Sequence, residues 1–134
     1  MAFYLPHVDV LVVNDGSTDA TSQKARRIGA IVVDLPFNLG IGGAMQAGYK
    51  YADEKGYEIA VQVDGDGQHD PKEIPKLLDV MEKKEADVAI GSRFIGESLY
   101  KGSTMRKVGI SILAKAISIM TGQRVTDPTS GFRA

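Results

Sequence analysis

Two carboxylates stand two positions apart in the run Val61-Gln62-Val63-Asp64-Gly65-Asp66-Gly67-Gln68-His69-Asp70. The apolar residues ahead of them read as a buried strand, so Asp64 and Asp66 enter a loop at its end. A turn releases them from the strand's alternation, which lets both converge on one hard divalent cation. The glycines between and after them let a diphosphate approach the backbone. Mg²⁺ or Mn²⁺ would then bridge protein and phosphates. The competing reading is a solvated turn, since Asp and Gly are common turn formers. A calcium loop is excluded, because an EF-hand counted from Asp64 needs glycine and glutamate where His69 and Pro75 stand.

Asp15 closes another apolar run, in Val13-Asn14-Asp15-Gly16-Ser17-Thr18-Asp19. A carboxylate there suits the imide or amide N–H of a uracil or guanine ring, while helix capping is the alternative for Asp15 and the preferred reading for Asp19. Asn38-Leu39-Gly40-Ile41-Gly42-Gly43-Ala44 looks like a dinucleotide fingerprint, but the third glycine position holds Met45. A tight turn ahead of a helix N-terminus, packed closely or facing phosphate, fits it better. Gly91-Ser92-Arg93-Phe94 puts a guanidinium just past another strand, where its fork suits phosphate. Arg106, Lys107 and Arg133 default to surface charges. His7 and His69 have no metal-ligand spacing and read as turn or surface residues.

The elements that must position these groups alternate. Strands are expected at 8–13, 30–34, 59–63 and 88–90, and helices at 20–28, 42–55, 71–84 and 105–121, with a polar loop over 92–104. The second helix has a small-residue face of Ala44, Ala47 and Tyr51. The third faces the core through Ile74, Leu77, Leu78 and Met81. The stripe Ile110, Leu113, Ile117 and Met120 of the last helix reads as core, with a membrane surface as the alternative. Strand and helix in alternation predict a mainly parallel sheet covered on both faces, a three-layer α/β/α sandwich with ligands at the strands' carboxyl ends. A length of 134 residues, 43% hydrophobic, fits a single domain, 1–134. With 16 Lys+Arg against 17 Asp+Glu, no global field favours nucleic acid. The absence of cysteine leaves oxygen ligands and fits a cytoplasmic chain. No apolar run approaches the roughly 20 residues that span a bilayer.

Taken in order, Val12-Val13-Asn14-Asp15-Gly16-Ser17-Thr18-Asp19, Asn38-Leu39-Gly40, Asp64-Gly65-Asp66-Gly67-Gln68-His69-Asp70-Pro71, Gly91-Ser92-Arg93-Phe94 and Asp127-Pro128-Thr129-Ser130-Gly131-Phe132-Arg133-Ala134 resemble the family 2 glycosyltransferases of GT-A fold. The subgroup they resemble is that of the polyprenyl-phosphate sugar transferases, such as the dolichyl-phosphate mannosyltransferases. The resemblance implies a metal-dependent, inverting transfer of a hexose from a UDP- or GDP-sugar to a polyprenyl phosphate. It implies that Asp15 reads the base and that Asp64, Gly65, Asp66 and Arg93 line the donor. Asp64, Asp66 and Gln68 would hold Mg²⁺ or Mn²⁺, Asp66 and Arg93 would be the catalytic pair, and Arg93 with Arg106 would meet the acceptor phosphate. The acceptor would lie at the inner face of the membrane, where the protein would be peripheral.

Family members begin with a further strand and helix and continue past the final motif. The chain is therefore expected to be a domain truncated at both ends, its first strand missing, pairing as a homodimer through an exposed sheet edge. Competing readings are a nucleotide-sugar-binding fragment without activity and a sugar-1-phosphate nucleotidyltransferase, whose glycine-rich basic N-terminal loop is absent.

Overall fold

The computed structural model describes residues 7–67, 69–92 and 104–134, without the side chains of Thr104, Arg106 and Lys107. The chain divides into two compact units, Met1–Ala60 and Val61–Ala134.

In the first unit, β-branched residues build two short strands, β1 (Leu11–Asn14) and β2 (Ile31–Asp34). They pair in parallel, with Leu11 opposite Ile31 and Asn14 opposite Asp34. The connection runs through α1 (Thr21–Arg27), making a βαβ unit. Asp19 starts α1 as expected: its Oδ1 accepts the Thr21 N–H at 3.0 Å and the Thr21 hydroxyl at 2.5 Å. The Thr21 hydroxyl, then its N–H, hold the Asp19 carboxyl below the usual carboxylate range. Helix α2 (Gly40–Glu54) follows β2. Its small face is half-buried at Ala44, Ala47 and Tyr51, and a Cβ on Gly48 would already touch Val13, so small residues let α2 lie close to β1. Beyond α2, Tyr57 donates its hydroxyl to Asp9 at 2.5 Å, which ties the chain after the helix to the residue before β1.

The second unit contains a 3₁₀ turn (Pro71–Glu73) leading into α3 (Ile74–Lys84), and the long helix α4 (Thr104–Thr121). Asp70 caps the turn by accepting the Lys72 N–H at 3.0 Å, with Pro71 at the first position where no N–H is needed. Ile74 and Leu77 are buried, and Leu78 and Met81 half-buried, as their spacing predicts. They share the unit's core with Ala89, Ile110, Ala114 and Phe132.

The strands expected at 59–63 and 88–90 do not extend as such. Each contributes one bridge, and both bridges are antiparallel to Arg133. The reason lies in the chain's end. Gln62 and Arg133 exchange backbone hydrogen bonds at 2.8 and 3.3 Å, Ala89 and Ala134 exchange two at 2.9 Å, and the Gly91 N–H donates to the Phe132 carbonyl at 2.8 Å. The segment 132–134 thus lies between the two expected strands and takes the edge groups they would have offered one another. Among the described residues parallel pairing is found between β1 and β2, and the class is α/β.

Helix α4 departs from expectation in which face it buries. Ile110 and Ala114 are buried and Ile117 half-buried, but Leu113 is 44% and Met120 85% exposed. Among the described residues, no helix is long and apolar enough to cross a membrane.

Candidate functional site

The turn after β1 carries Asp15. Gly16 takes φ +73°, and a Cβ there would come within 2.8 Å of the Asn38 amide nitrogen, so only glycine lets this turn lie against the loop after β2. Asp15 Oδ1 accepts the Leu39 N–H at 2.6 Å, and its carbonyl accepts from the Asn38 side chain at 3.1 Å. Asn38 Oδ1 in turn accepts the Gly40 N–H at the start of α2, so the Asn38-Leu39-Gly40 turn serves to dock two loops together. Asp15 is not a helix cap, since the capping contacts to Thr21 come from Asp19. Asp15 Oδ2 has no hydrogen bond among the described residues.

Behind Asp15, a polar cluster fixes the same turn. Asn14, 8% exposed, donates from Nδ2 to Asp34 Oδ1 and to Ser22 Oγ, both at 2.8 Å, and its Oδ1 accepts the Ser17 N–H at 3.1 Å. Ser22 also donates to Asp34 Oδ1, and Arg26 donates to Oδ2 at 2.5 Å. The Ser22 hydroxyl, then the Asn14 amide and the Arg26 guanidinium, hold the Asp34 carboxyl far below the usual carboxylate range.

The second unit carries the paired carboxylates. Asp64 Oδ1 accepts from Gln62 Nε2 at 3.0 Å, and the carboxylate fills the space beside Gly131 where a Cβ would collide with it. Asp64 is half-buried and Asp66 exposed in the turn that follows. The strand-like pairing of Gln62 with Arg133 brings Gly131 to Asp64, so the chain's end forms one wall of this turn. A buried loop holds that wall. Ser130 is fully buried, donates to the Gly91 carbonyl at 2.6 Å and accepts the Phe132 N–H at 3.2 Å, and Asp127, 1% exposed, accepts from the Thr129 hydroxyl at 3.1 Å. Phe132 packs where Gly91 has no side chain, and His69, in the bend before the 3₁₀ turn, stacks on it with ring centroids 5.3 Å apart.

Asp127, Thr129, Ser130 and Gly131 stand in the sequence within a motif for which no element is predicted. The available signal was a run of small polar residues, Asp127-Pro128-Thr129-Ser130-Gly131, which suits a tight buried turn better than a tail. Arg133, assigned to the surface, is half-buried. It donates to the Ser130 carbonyl at 2.5 Å, and its Nε is buried without a partner. Gln68, Arg93 and the Arg106 side chain lie outside the described residues.

Among the described residues, no three His, Asp or Glu side chains converge as a cation cage. A cation shared with a ligand would need fewer, because Mg²⁺ commonly takes one or two carboxylates and completes its shell with substrate phosphates and water. Asp64 and Asp66 would be the two carboxylates for such a cation, and Gly131 gives Asp64 its seat.

The family profile described as glycosyl transferase family 2 matches residues 2–133. An undecaprenyl-phosphate mannosyltransferase of Micrococcus luteus is 36% identical over 136 residues, covering 97% of this chain and 55% of the relative. A polyprenol monophosphomannose synthase of Mycolicibacterium smegmatis is 34% identical, covering 96% and 51%. A dolichol-phosphate mannosyltransferase of Pyrococcus furiosus is 33% identical, covering 94% and 37%. The chain spans about half the length of the first two relatives.

Proposed function

We propose, for a chain that belongs to glycosyl transferase family 2, that it forms the donor-binding part of an enzyme moving a hexose from a nucleoside-diphosphate sugar to a polyprenyl phosphate. The observation that carries this reading is the Asp64-Gly65-Asp66 turn, set in a chain whose relatives are named for transfer of sugars to polyprenyl phosphates. Asp15 accepts the base's N–H through Oδ2 while Leu39 holds Oδ1. Asp64 and Asp66, with Gln68, hold Mg²⁺ or Mn²⁺ against the donor diphosphate. A cation held by these residues would supply charge neutralisation to the departing nucleoside diphosphate. Arg93 and Arg106 meet the acceptor phosphate, drawn from the inner face of a membrane.

The acceptor's phosphate oxygen is an anion at neutral pH and needs no strong general base. It bonds to the anomeric carbon as the bond to the diphosphate oxygen breaks on the opposite face, which inverts that carbon. The protein's contribution is positioning and charge stabilisation. Sugar transfer from UDP- and GDP-hexoses to a short-chain polyprenyl phosphate with Mn²⁺ tests the reading. Asp66→Ala is expected to lower turnover about a hundredfold or more, and unchanged turnover would reject it.

A further inference from the structure

We infer that Asp34 is a positioning residue for Asp15: its carboxylate orients the Asn14 amide, and that amide shapes the turn from which Asp15 meets a nucleotide base. The role rests on the base-reading function proposed for Asp15.

Asp34 sits at the end of β2, opposite Asn14 in the parallel register. Three donors converge on it: Asn14 Nδ2 at 2.8 Å, the Ser22 hydroxyl, and Arg26 Nη2 at 2.5 Å. A carboxylate only accepts, so it admits all three and dictates that Asn14 turns its NH₂ toward β2. The opposite side of the amide, Oδ1, is thereby fixed on the Ser17 N–H at 3.1 Å. That bond closes the turn Asn14-Asp15-Gly16-Ser17 from within, while the Leu39 N–H holds Asp15 from outside at 2.6 Å. Removing the charge at position 34 would place an amide NH₂ among donors, and one bond of the cluster would have to break. Nothing in the cluster needs Asp34 to touch a ligand.

The partners are complementary and therefore exchangeable. A carboxylate on β1 could accept the Ser17 N–H, the Ser22 hydroxyl and an amide N–H donated from β2, whose second N–H the Ser22 oxygen would accept and whose carbonyl would accept from Arg26. Calorimetric titration of the whole chain with UDP and with GDP, each with Mn²⁺, reads the effect, with thermal unfolding of every variant alongside. Asp34→Asn and Asn14→Asp are each expected to weaken binding of the preferred nucleotide about tenfold, and the exchanged pair Asn14→Asp/Asp34→Asn to return it to within about twofold of the unmutated chain. Unchanged affinity in Asp34→Asn alongside lost affinity in Asp15→Ala would overturn the positioning role and leave base reading intact. A loss that the exchange fails to restore, or restores only in the melting temperature, would make Asp34 a scaffold residue and also overturn it. If Asp15→Ala binds normally, or the unmutated chain binds neither nucleotide, base reading falls and the positioning role with it.

Discussion

Asn14 Nδ2 lies 2.8 Å from Asp34 Oδ1, across the last pair of the parallel ladder between β1 and β2. In a parallel pair, opposed side chains share one face of the sheet, so the ladder's register brings the amide to the carboxylate. The same register places Ser22 and Arg26, one helical turn apart on α1, over that carboxylate from the connecting helix. The first βαβ unit therefore ends in one hydrogen-bonded cluster at the mouth where Asp15 emerges.

Acid should weaken this cluster in a defined direction. The Ser22, Asn14 and Arg26 donors hold the folded-state pKa of Asp34 below its ordinary value of 3.8. The ionised form is therefore favoured by folding, and its contribution is fully present above that value and lost as pH falls below it toward the folded pKa. The difference in melting temperature between the unmutated chain and Asp34→Asn should stay constant from neutral pH down to about 4 and shrink below it. A difference that instead grows on acidification would refute the assignment.

Phe132 is expected to be the costliest single truncation in the second unit. It is 7% exposed, packs against Gly91 and stacks on His69. Phe132→Ala should destabilise by about 3–5 kcal/mol through lost burial and the cavity left behind. Denaturant unfolding measures it directly. The same variant should loosen the pairing of Gln62 with Arg133, and amide exchange at Gln62 should accelerate with it.

The parts legible in the sequence are those written in local periodicity. Val12, Val13, Val32 and Val33 announce β1 and β2 because β-branched runs between turn residues have few other solutions. Asp19 announces a helix start because capping acts over two or three residues. The paired carboxylates Asp64 and Asp66 stand out by their spacing alone. What stayed hidden depends on contacts distant in sequence. Arg133 pairs with Gln62 and Ile90, and a segment as short as Phe132-Arg133-Ala134 has no alternation to reveal a strand. Asp34 read only as a strand end, because its opposition to Asn14 requires the register.

The face of α4 illustrates a different limit, and it can be tested by contrast. From Met105 to Met120 apolar residues occur on every side of the helix, so periodicity cannot choose among stripes. Packing selects Ile110 at 6% exposure and leaves Ile112 at 66%. Ile110→Ala should cost about 2–4 kcal/mol, whereas Ile112→Ala should fall within about 0.5 kcal/mol of neutral. Chemical denaturation of the two variants side by side checks this, and equal costs would contradict the described face.

Gly131→Ala joins the stability of the second unit to its chemistry. The added methyl would be driven into the Asp64 carboxylate, whose Oδ1 is already engaged by Gln62. Either the segment 131–134 retreats from Gln62 or the carboxylate leaves its seat. The first route strains the backbone pairing at Arg133 and should cost about 1–3 kcal/mol, as overpacking does. The second spares stability but moves a proposed cation ligand, and Mn²⁺-dependent nucleotide binding should then fall while the melting temperature holds. Measuring both quantities on one variant separates the routes. A Gly131→Ala chain that keeps its melting temperature and its Mn²⁺-dependent binding would show that Asp64 does not occupy the space beside residue 131, and the cation site built on it would have to be redrawn.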